Sequence, residues 1–147
     1  MLYIENLYPK PSSPCNCLNM RRASRAISQF YDKVMEPSGL TISQFGLLRH
    51  IHNAGVVSIT ELSQLIRIDR TTLNRNLKPL KDAALIRLVP GTDSRVKEVS
   101  LTEAGKLALE AGVKLWQEAQ ADMQEYFGET DLKQLNQLIA KLEALVP

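Results

Sequence analysis

The chain has 147 residues, of which 44% are hydrophobic and 23% are charged, a composition that fits one domain with its own core rather than a disordered chain. A formal net charge of +2 indicates no particular partner, and the apolar runs are too short for a membrane span or a secretory signal. Cys15 and Cys17, one residue apart, do not build the disulfide framework of a small secreted protein, so we expect a reducing, cytoplasmic compartment.

The first element in chain order is a helix that follows a proline-containing arm. Residues 1–15 contain three prolines close together and predict an N-terminal arm. From Asn16 the apolar positions recur at steps of three and four, which predicts an amphipathic helix to about Glu36. Pro37 and Gly39 then end it.

Two capping boxes predict where the next two helices begin. Thr41 and Gln44 have the required spacing at the start of a second helix, for which Gly55 supplies the end. Ser58 and Glu61 repeat the arrangement before a short third helix.

A fourth helix and a hairpin follow closely. Only Arg67 and Ile68 separate the third helix from Asp69, a good N-cap for the fourth. Turn residues at positions 90–93 lie between two short apolar runs, at 85–89 and 96–101, and predict a hairpin with a polar tip. Two helices joined by so short a connection and followed by a hairpin form a helix-turn-helix with a wing.

Two further helices complete the pattern. Thr102 is placed to cap a fifth helix that extends to about Tyr126, before Gly128, and Thr130 is predicted to open the last one. The expected fold class is mainly α with a small β-hairpin wing, that is, a winged helix-turn-helix domain plus a helical dimerisation region. The last helix carries an apolar stripe wider than one small domain needs, which favours a homodimer over packing within one chain.

The basic residues are unevenly distributed. Residues 67–101 carry eight Lys/Arg and four Asp/Glu, whereas residues 102–147 carry four and eight. Such asymmetry is expected when one segment faces a polyanion, although a solvated helix can show it too.

The outward face of the fourth helix has side chains suited to DNA bases. Arg and Asn match the donor and acceptor geometry of guanine and adenine edges, and Thr can hydrogen-bond or contact a thymine methyl. At the hairpin tip Asp93 and Arg95 are two residues apart, so the carboxylate can hold the guanidinium extended toward a narrow minor groove. The predicted DNA contacts are Arg70, Thr71, Thr72, Asn74, Arg75, Lys78, Asp93 and Arg95. A solvated helix with an exposed ion pair is the alternative interpretation.

Over residues 18–146 the chain resembles the MarR family of bacterial transcriptional regulators. The resemblance depends on the stretches at 59–63, 69–77, 85–87, 93–95 and 101–105, of which the last two are the most specific. It implies a fourth helix in the major groove of double-stranded DNA and a wing arginine in the minor groove. It also implies a repressor in which the first helix and the last two form the dimer interface.

The resulting domain organisation is a single structural domain with four segments. Residues 1–15 form the arm, 16–40 a dimerisation helix, 41–101 the winged helix-turn-helix lobe and 102–147 the C-terminal dimerisation helices.

The fourth helix departs from the family pattern in two ways. Residues 82–84 lack the glycine that commonly ends this helix, and alanine tolerates the left-handed conformation poorly, so a different helix end is expected. Pro79 lies inside the helical pattern, where we predict a bend rather than a stop.

The resemblance further implies release from DNA by a small, often aromatic, molecule bound between the dimer region and the DNA lobe. The residues on helices that could border that space are Phe30, Tyr31, Phe45, Arg49, His52 and Trp116, for most of which a core role is the alternative. Cys15 and Cys17 lie at the start of the first helix, where its positive end and nearby arginines favour a reactive thiolate, as in peroxide-sensing members. Two incidental thiols are the other interpretation.

Other kinds of site receive little support. His50 and His52 are two apart on a helix and point to different sides, so no metal site is expected, and no cofactor motif is present. An enzyme would need a nucleophile with a base or a phosphate-binding glycine loop, and none occurs at useful spacing. A winged domain that binds only protein stays the competing class, because a fold does not fix a function.

Overall fold

The structure is a computed structural model that describes residues 9–147, so the first eight residues of the predicted arm lie outside the described part. In chain order the elements are α1 (Asn16–Met35), a 3₁₀ turn (Glu36–Ser38), α2 (Ile42–Ala54), β1 (Val57–Ser58), α3 (Ile59–Ile66), α4 (Arg70–Asp82), β2 (Ile86–Pro90), β3 (Lys97–Leu101), α5 (Glu103–Phe127) and α6 (Glu129–Glu143). This order confirms the predicted fold class of helices with a β-hairpin wing. None of the described helices is both long enough and apolar enough to cross a lipid bilayer.

Local hydrogen bonds fix the starts of α2 and α3 as predicted. The Thr41 hydroxyl accepts from the Gln44 amide at 3.1 Å, and the Gln44 side chain accepts from the Thr41 amide at 3.0 Å. Ser58 and Glu61 form the same reciprocal pair. Each box satisfies two amides that a helix start would otherwise leave unpaired, so both helices begin where the sequence places them.

The sheet has one strand that the sequence pattern did not predict. Its order is β1-β3-β2, with both pairings antiparallel. The predicted hairpin is confirmed, because Ile86 lies opposite Leu101 and Pro90 opposite Lys97. Strand β1 pairs Val57 with Val99, and this brings the chain just before α3 alongside the outer edge of the wing.

The described chain divides into two compact units, of which one is residues Met35–Lys114 and the other combines residues up to Val34 with Leu115–Pro147. In the first unit, side chains from the end of α1 and from α2, α3, α4 and β3 form the core. Its least exposed members are Met35, Phe45, Leu48, Ile51, Leu62, Leu73, Leu77, Leu80 and Val99. The three leucines of α4 lie on its buried side, which leaves the polar side free. The segment boundaries proposed from the sequence stay predictions.

The end of α4 corrects one expectation. Ala84 itself adopts the left-handed conformation, with φ of 58°, so the expectation of a different helix end is wrong. Its amide donates to the Lys81 carbonyl and the Leu85 amide donates to the Leu80 carbonyl, each at 2.9 Å, which is the Schellman pattern that glycine usually supports. Pro79 lies inside the helix, which continues to Asp82 and so does not stop at the proline. The bend there stays a prediction.

The start of α6 corrects another expectation. The helix begins at Glu129, and its N-cap is Gly128 with φ of 78° and no side-chain cap. Thr130 therefore lies in the first turn instead of opening the helix, because Gly128 is the single residue between α5 and α6 and takes a positive φ that glycine tolerates.

Candidate nucleic-acid interface

The turn between α3 and α4 sets the start of the candidate reading helix. Arg67 takes a left-handed conformation with φ of 61°, and the Ile68 amide donates to the Ser63 carbonyl at 3.1 Å. Asp69 then caps α4 as predicted, since its Oδ1 accepts from the Thr72 amide at 2.8 Å and its Oδ2 from the Thr72 hydroxyl at 2.7 Å. These bonds lower the pKa of Asp69. Thr72, one of the predicted DNA contacts, is thus already part of the helix cap.

The exposed side of α4 presents the predicted base-reading groups together. Arg70, Thr71, Asn74 and Arg75 are spaced so that they share one face of the helix, and all four are exposed. Because Leu73 and its buried neighbours face the other way, the polar side is available to a partner. This is the surface that a helix offers when it enters the major groove of DNA.

Lys78 differs from the other predicted contacts on α4. Its Nζ lies 2.8 Å from Asp82 Oδ2, one turn further along the helix, although the lysine side chain is 74% exposed. The hydrogen bond to this carboxylate raises the pKa of Lys78. A DNA phosphate would therefore have to compete with Asp82 for this ammonium.

The wing tip holds its arginine as the sequence predicted. Arg95 Nε donates to Asp93 Oδ1 at 3.1 Å and Nη2 donates to Oδ2 at 2.9 Å, a bidentate pair in which the arginine side chain is still 88% exposed. This pairing lowers the pKa of Asp93 and raises that of Arg95. The Gly91 amide donates to the Val96 carbonyl at 2.7 Å and closes the base of the turn. The guanidinium is thus ordered without being buried.

A concavity of about 440 Å³ lies between α4, the start of α3 and the wing. It brings Arg70 and Asn74 of the reading helix to the same cavity as Arg95 of the wing. Sequence reasoning missed two of its polar lining residues, Thr60 and Lys97. The basic charge of residues 67–101 was a weak signal for Lys97, whereas nothing in the local pattern distinguished Thr60. The full lining is Ile59, Thr60, Arg70, Asn74, Arg95, Val96 and Lys97.

The aromatic residues predicted near an effector include a ring pair in α1. The rings of Phe30 and Tyr31 meet edge to face with centroids 5.5 Å apart. The Tyr31 hydroxyl donates to Gln120 Oε1 of α5, and burial raises the pKa of Tyr31. Trp116, also on α5, is half-buried.

Three more of these residues lie on α2, in the other unit. Phe45 is 1% exposed, and its ring packs so closely on Gly112 that an added Cβ there would come within 2.7 Å of it. Arg49 and His52 are exposed. Phe45 is therefore a core residue of its unit, and an effector role for the whole set stays a prediction.

The two cysteines are exposed free thiols at the start of α1. Cys15 directly precedes the helix, where its amide donates to the Ser13 hydroxyl at 3.1 Å and its carbonyl accepts from the Asn19 amide at 3.2 Å. Cys17 lies in the first turn of the helix. Both sulfurs are accessible to an oxidant from solvent.

Apolar side chains remain uncovered in the unit that contains α1 and α6. No residue of α6 is buried, and Leu138 and Ile139 are 52% and 44% exposed. Monomeric proteins rarely leave such a stripe in water. The exposed large apolar side chains of this unit are Leu18, Met20 and Ile27 in α1, Tyr126 in α5, Leu138, Ile139 and Leu142 in α6, and Leu145 and Val146 beyond it.

Comparison with known proteins identifies the same architecture elsewhere. Residues 38–95 match the MarR family model. The chain is 29% identical over 97 residues to YwoH of Bacillus subtilis, an uncharacterised HTH-type transcriptional regulator. The aligned segment covers 65% of this chain and 71% of the relative.

Solved structures extend the likeness over almost the whole chain. The M. tuberculosis transcriptional regulator MosR, crystallised in complex with DNA, is 36% identical, with a TM-score of 0.80 over 90% of this chain and 99% of its own. A MarR variant from E. coli in complex with operator DNA has a TM-score of 0.75 over 87% of this chain and 91% of its own, and at 22% identity it shows the fold alone. These relatives are transcriptional regulators rather than enzymes.

Proposed function

The chain belongs to the MarR family of transcriptional regulators, and we propose that it is a repressor that binds a pseudo-palindromic operator in double-stranded DNA as a homodimer. We further propose that a small aromatic molecule or an oxidant releases it from the operator.

One observation carries the DNA-binding proposal, namely that two kinds of DNA-reading side chain border the same concavity. Arg70 and Asn74 come from the start of a helix whose free side carries no acid before Asp82, and Arg95 extends from the wing with its guanidinium ordered by Asp93. A helix fits the major groove, and a narrow minor groove attracts arginine through its negative potential. The relative at 36% identity was crystallised with DNA, which supports DNA binding by this chain.

The proposed contacts divide by role. Arg70, Thr71, Asn74 and Arg75 read base edges in the major groove, and Arg95 enters the minor groove while Asp93 orients it. Thr72 and Lys78 remain in the contact set as phosphate ligands, although each already bonds an aspartate on its own helix.

The homodimer is supported by the uncovered apolar stripe. Leu138, Ile139 and Leu142 lie at helical spacing on α6 and gain from burial against a second copy of the chain. A twofold dimer would place two α4 helices in successive major grooves, so its half-sites would be about one helical turn apart. Sedimentation that gives only monomer at micromolar concentration would remove this part of the proposal.

Release by oxidation is supported by the accessibility of Cys15 and Cys17. Mild peroxide is expected to weaken operator binding by the wild type and to leave the double variant Cys15→Ser, Cys17→Ser unaffected. If neither protein responds, release depends on a small molecule alone, for which Tyr31, Trp116 and His52 are the residues to substitute first.

The direct test is selection of bound fragments from genomic DNA, followed by affinity measurements on the recovered site. Arg70→Ala is expected to lose about 1 to 3 kcal/mol of discrimination between this site and a variant of it, as for one lost base contact. Arg95→Ala is expected to weaken binding most where the flanks are A·T-rich. Lys106→Ala is the control, because Lys106 pairs with Glu103 and does not line the concavity. Equal affinity of all four proteins for the site would remove these residues from the interface, and a purified protein that recovers no DNA would favour a protein-binding module.

A further inference from the structure

We propose that the concavity between α4 and the wing is the seat of one backbone phosphodiester of DNA, held by Thr60 and Lys97. This inference rests on the proposed function, and it assigns a binding role to two residues outside the groups that read bases.

The lining of the cavity matches an anion. Three of its seven residues are cations, namely Arg70, Arg95 and Lys97, and none is acidic. Thr60 adds a hydroxyl and Asn74 an amide, both of which can donate. A phosphodiester offers two acceptor oxygens that share one negative charge, so it is complementary to this set.

The geometry of DNA places a backbone at this point. The major and minor grooves are about 12 Å and about 6 Å wide, and one sugar-phosphate strand separates each from the next. A protein with one element in a major groove and another in the adjacent minor groove must straddle that strand. Here those elements are α4 and the wing, and the cavity of about 440 Å³ is the hollow between them.

Strand β1 explains why Thr60 and Lys97 border the same cavity. It pairs Ser58 with Glu98, and the next residues in this antiparallel register are Ile59, which begins α3, and Lys97, which begins β3. The ladder thereby fixes the first turn of α3 beside the base of the wing. Besides burying Val57 in the core, this two-residue strand thus brings two donors to the same cavity.

The donors on these two residues are available. Within residues 9–147, Thr60 Oγ1 and Lys97 Nζ take part in no hydrogen bond or ion pair, although the Thr60 carbonyl accepts from the Ser63 hydroxyl. Arg95, by contrast, already directs Nε and Nη2 at Asp93. Thr60 and Lys97 can therefore serve a phosphate without giving up a partner, and unlike Arg70 and Asn74 they are not assigned to base edges.

Such a contact would fix the position of the protein along the duplex and would not distinguish one base sequence from another. Contacts to phosphate fix where a protein lies along the duplex and carry no base information. When Thr60 and Lys97 hold the sugar-phosphate strand, the major-groove contacts on one side of that strand and the minor-groove contacts on the other have fixed positions relative to it. The seat would thus contribute equally to binding at the operator and at unrelated DNA.

The test uses Lys97→Gln and Thr60→Val, with Lys106→Gln and Thr130→Val as matched controls outside the cavity. Fluorescence anisotropy on the selected operator and on an unrelated duplex is measured over a salt series. Lys97→Gln is expected to weaken both complexes by the same factor and to reduce the slope of log affinity against log salt by about 0.9 for each lysine, or about 1.8 for a dimer. Thr60→Val is expected to weaken both complexes with little change of slope, because it removes no charge.

Duplexes with one neutral methylphosphonate at a time then locate the phosphate. A single position per half-site is expected to weaken the wild type and to have no added effect on Lys97→Gln. The inference is overturned if Lys97→Gln changes discrimination without changing the salt slope, or if no methylphosphonate position depends on Lys97 while the wild type still binds its operator. In that second case the proposed function stands without the seat, whereas a wild type with no affinity for DNA defeats both.

Calorimetry with inorganic phosphate separates a DNA backbone from a free anion as the occupant. The seat needs the rest of the duplex to position its phosphate, so no binding of the free ion is expected at low millimolar concentration. Tight binding of free phosphate that depends on Lys97, together with indifference to every methylphosphonate, would assign the cavity to a small anion and contradict the proposal.

Discussion

Replacing Ala84 with glycine is expected to stabilise the protein. Ala84 has φ of 58°, a conformation that costs an L-residue with a Cβ roughly 1 to 2 kcal/mol and costs glycine almost nothing. Glycine also gives the unfolded chain more conformational freedom, which reduces this stabilisation by about 0.4 to 1 kcal/mol. The net expectation is a gain of about 0.5 to 1 kcal/mol in the free energy of unfolding.

Neighbouring contacts show why the chain keeps this turn despite its cost. The Thr102 hydroxyl donates to the Ala84 carbonyl at 2.6 Å, and the Thr102 amide donates to the Leu85 carbonyl at 3.1 Å. The same hydroxyl accepts from the Gly105 amide at 3.0 Å and so caps α5. The exit of α4 is therefore bonded directly to the start of α5, and a different helix end would break the two hydrogen bonds that Thr102 donates to it.

Ala83 provides the matched control. It is the adjacent residue of the same type and has φ of −82°, which alanine adopts without strain. Ala83→Gly should then show only the usual penalty of glycine, about 0.5 to 1 kcal/mol. Urea unfolding followed by circular dichroism, at one fixed protein concentration, measures both variants against the wild type. Equal destabilisation by the two glycines would show that the left-handed turn carries no strain and would refute the reasoning.

Three further outcomes are expected. Gly105→Ala should destabilise the protein by more than about 2 kcal/mol in the same unfolding assay, because its Cβ would come within 2.0 Å of the Leu85 carbonyl oxygen, and a wild-type midpoint would contradict that packing. Asp93→Asn should weaken operator binding a few-fold, and by less than Arg95→Ala, since it loosens the arginine without removing it; anisotropy showing the reverse order would be inconsistent with an orienting role. The cap at Asp69 should depend on pH: its folded pKa lies below the unfolded value of about 3.9, so its stabilisation is complete above that value and is lost as the pH falls through the folded pKa. The urea midpoints of the wild type and Asp69→Asn should therefore differ more at pH 6 than at pH 3. Identical pH dependence of the two proteins would exclude the Asp69 cap as a source of pH-dependent stability.

Features that depend on near neighbours were predictable from the sequence. The caps at Thr41, Ser58 and Asp69 each join residues three apart, so spacing alone predicts them. The Asp93–Arg95 pair is equally local, which is why its geometry could be expected before any fold was known.

Features that depend on distant partners were not predictable in this way. Strand β1 has two residues and exists because Val57 pairs with Val99. No periodicity in so short a segment can indicate that pairing. Ala84 keeps an unfavourable conformation because Thr102, 18 residues away and just before α5, bonds its carbonyl. Thr60 joins the candidate site through the same long-range pairing, so the site is larger than the helix face and wing that the sequence predicted.

The central claim is that α4 and the wing bind operator DNA, and the salt dependence of binding tests it most directly. Anisotropy of the wild type with the selected operator, with a shuffled duplex as competitor, should show log affinity falling linearly and steeply with log salt, by about 0.9 for each phosphate contact. The operator should also be favoured over the shuffled duplex at every salt concentration, and Arg70→Ala should reduce that preference. Affinity that is flat with salt, or identical for the two duplexes, would contradict the account.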